Sequence, residues 1–179
     1  MPVRVAINGF GRIGRNILRA AYASDEHDLD FVAVNDLTEP ETLGHLFRWD
    51  SVHGPFEGEA TVEGDALRVE GDEIRVLQEP EPGDLPWDEL GVDVVLEATG
   101  RFRDREEAAA HLSAGARKVI ITAPATGPDV TICLGVNEGD YDPGGHDVIS
   151  NASCTTNCVA PPVKVLLEEF GFERGLMNT

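Results

Sequence analysis

Lysine is nearly absent from this chain. Lys118 and Lys164 are the only two, the other basic residues are arginines, and the 14 basic residues face 33 acidic ones for a net charge of −19. So acidic a surface repels polyanions, which excludes nucleic acid and anionic membrane as partners. Cysteine is scarce too: Cys133, Cys154 and Cys158 are too few for a disulfide framework. Without paired C-x-x-C motifs or clustered histidines the chain offers no metal site. No apolar run reaches membrane-spanning length and no signal-peptide pattern is visible, so the expected compartment is the cytoplasm. Internal repeats and low-complexity tracts are also missing. Self-repulsion on this scale is best tolerated where salt shortens the Debye length to about 3 Å. The composition therefore predicts a protein of a halophile. The competing reading is an ordinary acidic enzyme of a high-GC organism, which also favours arginine over lysine.

Glycine, by contrast, is placed with purpose. Val3-Arg4-Val5-Ala6-Ile7-Asn8 is a short apolar run of the kind a buried strand shows. Gly9-Phe10-Gly11-Arg12-Ile13-Gly14 follows at once, and residues 15–24 continue with helical spacing through Ile17, Leu18, Ala20 and Ala21. In a strand–turn–helix unit the three glycines have separate tasks. Gly9 makes the tight turn, Gly11 lets the backbone approach a pyrophosphate, and Gly14 lets helix and strand pack closely. A second apolar run, Phe31-Val32-Ala33-Val34, ends in Asn35-Asp36, with Asp36 22 residues after Gly14. That is where a dinucleotide-binding unit places the carboxylate that holds the adenosine ribose. The same charge repels a 2′-phosphate, so NAD is favoured over NADP. The alternative for Asp36 is a solvated turn residue.

The second concentration of chemistry is Asn151-Ala152-Ser153-Cys154-Thr155-Thr156-Asn157-Cys158. It runs into Val159-Ala160-Pro161-Pro162-Val163-Lys164-Val165-Leu166-Leu167, which reads as a helix whose first turn tolerates the prolines. A thiol at a helix start is stabilised as thiolate, the form that attacks an aldehyde or acyl carbon. Ser153 and Thr155 stand ready to donate hydrogen bonds to an anion there. The competing reading of Cys154 is a buried, inert cysteine in a helix cap.

The chain closely resembles the phosphorylating glyceraldehyde-3-phosphate dehydrogenase family. The carrying stretches are residues 6–15, Val34-Asn35-Asp36-Leu37-Thr38, Asp50-Ser51-Val52-His53-Gly54, Glu97-Ala98-Thr99-Gly100-Arg101-Phe102, residues 114–124 and residues 150–158. The resemblance implies that Cys154 adds to the aldehyde of glyceraldehyde 3-phosphate, that hydride passes to NAD, and that inorganic phosphate releases 1,3-bisphosphoglycerate from the resulting thioester. It assigns Cys154 as nucleophile, with Ser153 and Thr155 contributing to the site for the attacking phosphate. Arg12 and Ile13 contact the cofactor, Ile13 near the nicotinamide ring, with Phe10 and Asn35 beside them. Thr99, Gly100 and Phe102 line the adenine side, and Thr122 stands near the cofactor at a strand end. Near Pro80 the family often has a basic residue whose carbonyl touches adenine; here only the carbonyl is retained. A homotetramer is implied for the complete chain. The same octapeptide also resembles erythrose-4-phosphate dehydrogenase, an alternative.

A base for the thiol is harder to find. His27 and His146 read as exposed loop residues, and His45 and His111 lie in helical stretches, partly buried or on the surface. His53 belongs to a motif the family uses structurally. The family's histidine follows a Gly-Leu-Met-Thr-Thr-Val segment, whereas this chain reads Gly175-Leu176-Met177-Asn178-Thr179 and stops. The expectation is a partial chain that binds NAD without chemistry of its own.

The predicted fold is α/β, a Rossmann-type doubly wound, mostly parallel sheet, with only the first helix of a second, catalytic domain. The expected domains are 1–152 and 153–179. Further elements are a helix over 40–49, an antiparallel excursion through strands at 60–62, 67–69 and 74–76, and a strand over 92–97. A helix over 105–114 follows, then strands at 118–122, 130–134 and 147–150. Cys133 is read as strand core and Cys158 as structural.

Overall fold

The computed structural model describes residues 1–24 and 28–179; His27, read above as a loop residue, lies outside the described residues. The chain opens with β1 (Val3–Asn8), α1 (Arg12–Tyr22), β2 (Leu29–Asn35) and α2 (Pro40–Arg48). A small hairpin, β3 (Trp49–Asp50) and β4 (Gly54–Pro55), precedes β5 (Ala60–Glu63), β6 (Ala66–Val69) and β7 (Asp72–Leu77). Then come β8 (Val94–Glu97), α3 (Arg105–Ala108), α4 (Ala110–Ser113), β9 (Lys118–Ile121), β10 (Val130–Thr131), β11 (Val148–Ser150) and α5 (Cys154–Phe170).

Among the described residues nine strands join in one sheet in the order β10-β11-β9-β8-β1-β2-β7-β6-β5. Every pairing from β10 to β7 is parallel, and only β6 and β5 run antiparallel at the edge. This is the doubly wound, mostly parallel α/β sheet of the Rossmann type. The alternation of side chains along β1 explains the two layers. Val5 and Ile7 point into one core with Leu18 of α1 and Leu43 and Phe47 of α2. Ala6, between them, joins Ala33, Trp87 and Val95 on the opposite face. Farther along that face, Val119, Ile121 and Val148 pack under Ala108. The chain leaves β1 for β2 on one side and returns to β8 on the other. The strand order therefore reverses beside β1, where parallel sheets of this kind open a crevice at their carboxyl ends.

Four expectations need correction. The predicted helix over 105–114 is two short turns, α3 and α4, meeting at Ala109. The predicted strand over 130–134 keeps only two residues, because Asn137 turns back, its Oδ1 accepting from the Cys133 amide and its Nδ2 donating to Thr131 O. Cys133 is buried but lies in that turn rather than in a strand. Finally, α5 begins at Cys154 rather than at Val159, so Pro161 and Pro162 lie inside the helix and not in its first turn. The Ser153 hydroxyl explains the early start: it caps the helix by accepting from Thr156 N at 2.9 Å.

Candidate active site and cofactor crevice

The crevice at the carboxyl ends of β1, β2 and β8 encloses about 240 Å³. Of the residues expected to bind cofactor, Gly9, Gly11, Asn35, Asp36, Pro80, Thr99 and Phe102 line it. Asn8, Leu37, Glu79, Ala98 and Arg101 line it as well and were not anticipated. Their common signal is position: each stands at or just past the carboxyl end of β1, β2, β7 or β8.

Gly9 has φ +92°, and a Cβ there would stand 2.5 Å from Thr99 N and 2.7 Å from Ala98 C. Gly14 is pressed as closely, with a notional Cβ 2.2 Å from Gly9 O. Gly11 differs: it sits just before α1, and its Cβ would meet nothing within 4 Å. Gly9 and Gly14 thus lie packed against backbone, whereas Gly11 faces open space at the positive end of a helix dipole. Asp36 is held in place by the chain itself. One carboxylate oxygen accepts from Phe10 N at 2.9 Å and the other from Thr38 N at 3.0 Å.

The remaining expected residues stand around this wall rather than in it. The Phe10 ring is buried against Phe47, with 6.0 Å between centroids, and its backbone N–H is spent on Asp36. Ile13 is 54% exposed on the first turn of α1. Arg12 turns toward the end of β3 and the loop after it, donating to Asp50 Oδ2 and Ser51 Oγ at 3.2 Å each. The amides of His53 and Val52, joined by Arg12, hold the Asp50 carboxyl below its ordinary range. Gly100 follows Thr99 with φ +73°. Thr122, just beyond β9, donates from Oγ1 to Glu97 O at 3.2 Å.

Cys154 is the first residue of α5 and is exposed. Its approach is set by β11, whose ladder with β9 continues one residue further as Asn151 N donates to Ile121 O at 2.9 Å. Ala152 then turns the chain with φ 58°, a left-handed conformation that costs a residue with a Cβ about 1–2 kcal/mol. Its amide is tied to Ser150 Oγ at 3.1 Å. Ser153 Oγ lies 2.8 Å from Thr155 Oγ1 and 2.7 Å from Thr156 Oγ1, a hydroxyl cluster beside the thiol. Asn157 Nδ2 binds back to Asn151 O and Ser153 O at 2.9 Å, fixing the first turn.

Among the described residues no histidine is hydrogen-bonded to the Cys154 thiol. His146 Nδ1 accepts from Asp142 N at 3.1 Å in its own loop. His111, expected to be partly buried or on the surface, is fully buried and bonded to Trp87 and Glu97. No group of three or more His, Cys, Asp or Glu among the described residues is arranged to hold a metal ion.

The sequence matches two family descriptions: "Glyceraldehyde 3-phosphate dehydrogenase, NAD binding domain" over residues 3–105, and "Glyceraldehyde 3-phosphate dehydrogenase, C-terminal domain" over residues 153–179. It is 59% identical to a glyceraldehyde-3-phosphate dehydrogenase of Geobacillus stearothermophilus over 179 residues, which are 100% of this chain and 53% of that protein. Identity to glyceraldehyde-3-phosphate dehydrogenase 1 of Bacillus subtilis (strain 168) is 55%, with the same coverage. It is 57% to the Kitasatospora aureofaciens protein of that name, over 98% of this chain and 53% of that one. The chain spans about half the length of the curated relatives it matches.

Proposed function

Since this chain belongs to the glyceraldehyde-3-phosphate dehydrogenase family, we propose that it carries the NAD site and the nucleophile of a phosphorylating glyceraldehyde-3-phosphate dehydrogenase. One arrangement carries the reading. A glycine-lined crevice with a backbone-anchored Asp36 and an exposed Cys154 heading a helix lie on the same, carboxyl edge of one parallel sheet. The residues present fit the cofactor: Gly11 leaves room for a pyrophosphate at a helix start, and Asp36 offers two pre-set acceptors to a ribose. NAD, when bound, supplies the hydride acceptor.

Cys154 performs the covalent step. Its thiolate adds to the aldehyde carbon, and after oxidation the acyl group remains on Sγ as a thioester. Ser153 and Thr155 favour an oxyanion or phosphate beside that thioester, so that inorganic phosphate rather than water takes the acyl group. The relatives matched are named for the glyceraldehyde substrate, and the proposal follows them rather than the erythrose alternative. The division at 152/153, a homotetramer, cytoplasmic residence, a place in glycolysis or gluconeogenesis, and a halophilic source belong to the same proposal. So does the expectation that residues 1–179 alone bind NAD without turning over aldehyde.

The test uses the full-length protein with NAD, inorganic phosphate and either aldehyde. NADH should form faster with glyceraldehyde 3-phosphate than with erythrose 4-phosphate. Cys154→Ser should abolish NADH formation and leave the NAD dissociation constant within about twofold. Undiminished turnover in that variant, or faster turnover of erythrose 4-phosphate, overturns the assignment.

A further inference from the structure

Behind the crevice runs a line of buried polar side chains that the proposed chemistry does not use. Asn8, Asn35, Glu97 and His111 are 4% exposed or less, and Trp87 is fully buried beside them. Most of their bonds have a fixed direction. An indole N–H can only donate, so Trp87 Nε1, at 2.9 Å, makes His111 Nδ1 an acceptor. The ring proton therefore sits on Nε2, which donates to Glu97 Oε2 at 3.1 Å. The same oxygen accepts from Asn8 Nδ2 at 2.6 Å, and Asn8 Oδ1 accepts from Asn35 Nδ2 at 2.7 Å. Asn35 goes on to bracket Glu79, donating to its carbonyl and accepting from its amide at 2.8 Å. The other oxygen of Glu97 accepts from Thr99 N at 2.9 Å and from the Thr99 hydroxyl. Arg101 N donates to that hydroxyl at 3.0 Å.

All four of these contacts bring donors to the Glu97 carboxyl oxygens, two to each. We propose that Glu97 is the positioning residue of the cofactor crevice. With one oxygen it fixes Thr99, with the other Asn8, and His111 and Trp87 hold it from behind. Thr99, Asn8, Asn35, Glu79 and Arg101 line the crevice, whereas Glu97, His111 and Trp87 do not. The inference rests on the reading that this crevice binds NAD.

Glutamine at position 97 has the shape of glutamate but carries one NH2, which faces two donors whichever way the amide is turned. Toward Thr99 it meets a backbone N–H that cannot reverse. Toward the other side it meets an Asn8 amide held by Asn35 and an imidazole proton held on Nε2 by Trp87. One wall of the crevice must therefore shift in either orientation.

The test compares full-length wild type with Glu97→Gln and Glu97→Asp by calorimetric titration with NAD and by steady-state kinetics. The expected result is a rise of about tenfold or more in the NAD dissociation constant and KM of E97Q. Its kcat at saturating NAD should stay within about twofold, and E97D, which keeps both carboxyl oxygens, should recover part of the affinity. In wild type, NMR of isotope-labelled tryptophan and histidine should find His111 protonated on Nε2. The Trp87 indole and His111 signals should move on titration with NAD, although neither residue lines the crevice. A folded E97Q that binds NAD like wild type overturns the proposal. If E97Q does not fold, the wild-type titration decides, and unmoved Trp87 and His111 signals overturn it. Absence of NAD binding by wild type overturns the crevice reading itself.

Discussion

Gly9 and Gly11 lie two residues apart in one loop, and their replacement by alanine should have opposite consequences. At Gly9 a methyl group would sit 2.5 Å from Thr99 N and 2.7 Å from Ala98 C and Thr99 Cα, all backbone atoms that cannot swing aside. The φ of +92° adds the left-handed penalty of about 1–2 kcal/mol, and overpacking adds about 1–3 kcal/mol more. Gly9→Ala should therefore lose about 2–5 kcal/mol, a fall in Tm of roughly 5–15 °C for a domain of this size. At Gly11 the methyl meets nothing within 4 Å, and alanine in place of glycine before a helix costs under about 1 kcal/mol. Its Tm should stay within about 3 °C of wild type. Yet that methyl projects where a pyrophosphate must approach the backbone, so NAD affinity should fall on the order of tenfold or more. Thermal unfolding followed by circular dichroism, together with titration calorimetry, measures both quantities. If G9A proved as stable as G11A, or G11A bound NAD like wild type, the division of labour between the two glycines would be refuted.

Two further outcomes follow from charge. Burial opposes ionisation of Asp129, but Arg105 Nε at 2.7 Å and the amides of Val148 and Asp147 at 2.8 Å hold its carboxyl at about 2, against an ordinary 3.8. A lowered folded value means stabilisation that is present above pH 3.8 and lost as pH falls toward 2. Asp129→Asn should cost on the order of 1 kcal/mol near neutral pH after solvent screening, and the gap from wild type should narrow between those two values; a gap independent of pH refutes this. With a net charge of −19, Tm should climb as KCl is raised, and a maximum near zero salt would remove the argument for a halophile.

The parts of the fold legible in the sequence are those written in neighbouring residues. The glycine loop, the short apolar runs of β1 and β2, and Asp36 at the end of the second run all depend on local spacing. The antiparallel edge was legible because Gly64-Asp65 and Gly71-Asp72 mark its turns. What escaped depends on contacts far along the chain. His111 sits in an alanine-rich segment that gives no hint of burial, yet its partners are Trp87, 24 residues away, and Glu97, 14 away. One signal was available: Glu97 ends an otherwise apolar strand, where a carboxylate is tolerated only if donors meet it. The early start of α5 was missed because the prolines drew the helix boundary toward themselves, while the Ser153 hydroxyl, five residues before Cys158, set it.

Those same prolines leave a gap in the helix that carries the nucleophile. Pro161 and Pro162 have no N–H, so the carbonyls of Asn157 and Cys158 lack the donors that an unbroken helix would give them. The rungs are missing between two halves of unlike character. On one side is the turn pinned by Ser153 and Asn157; on the other are Val165, Leu167 and Phe170, each more than half exposed. Unwinding that begins at Phe170 meets this break before it reaches Cys154. The distal half can therefore change its surroundings, or fray, while the thiol keeps its place at the edge of the sheet.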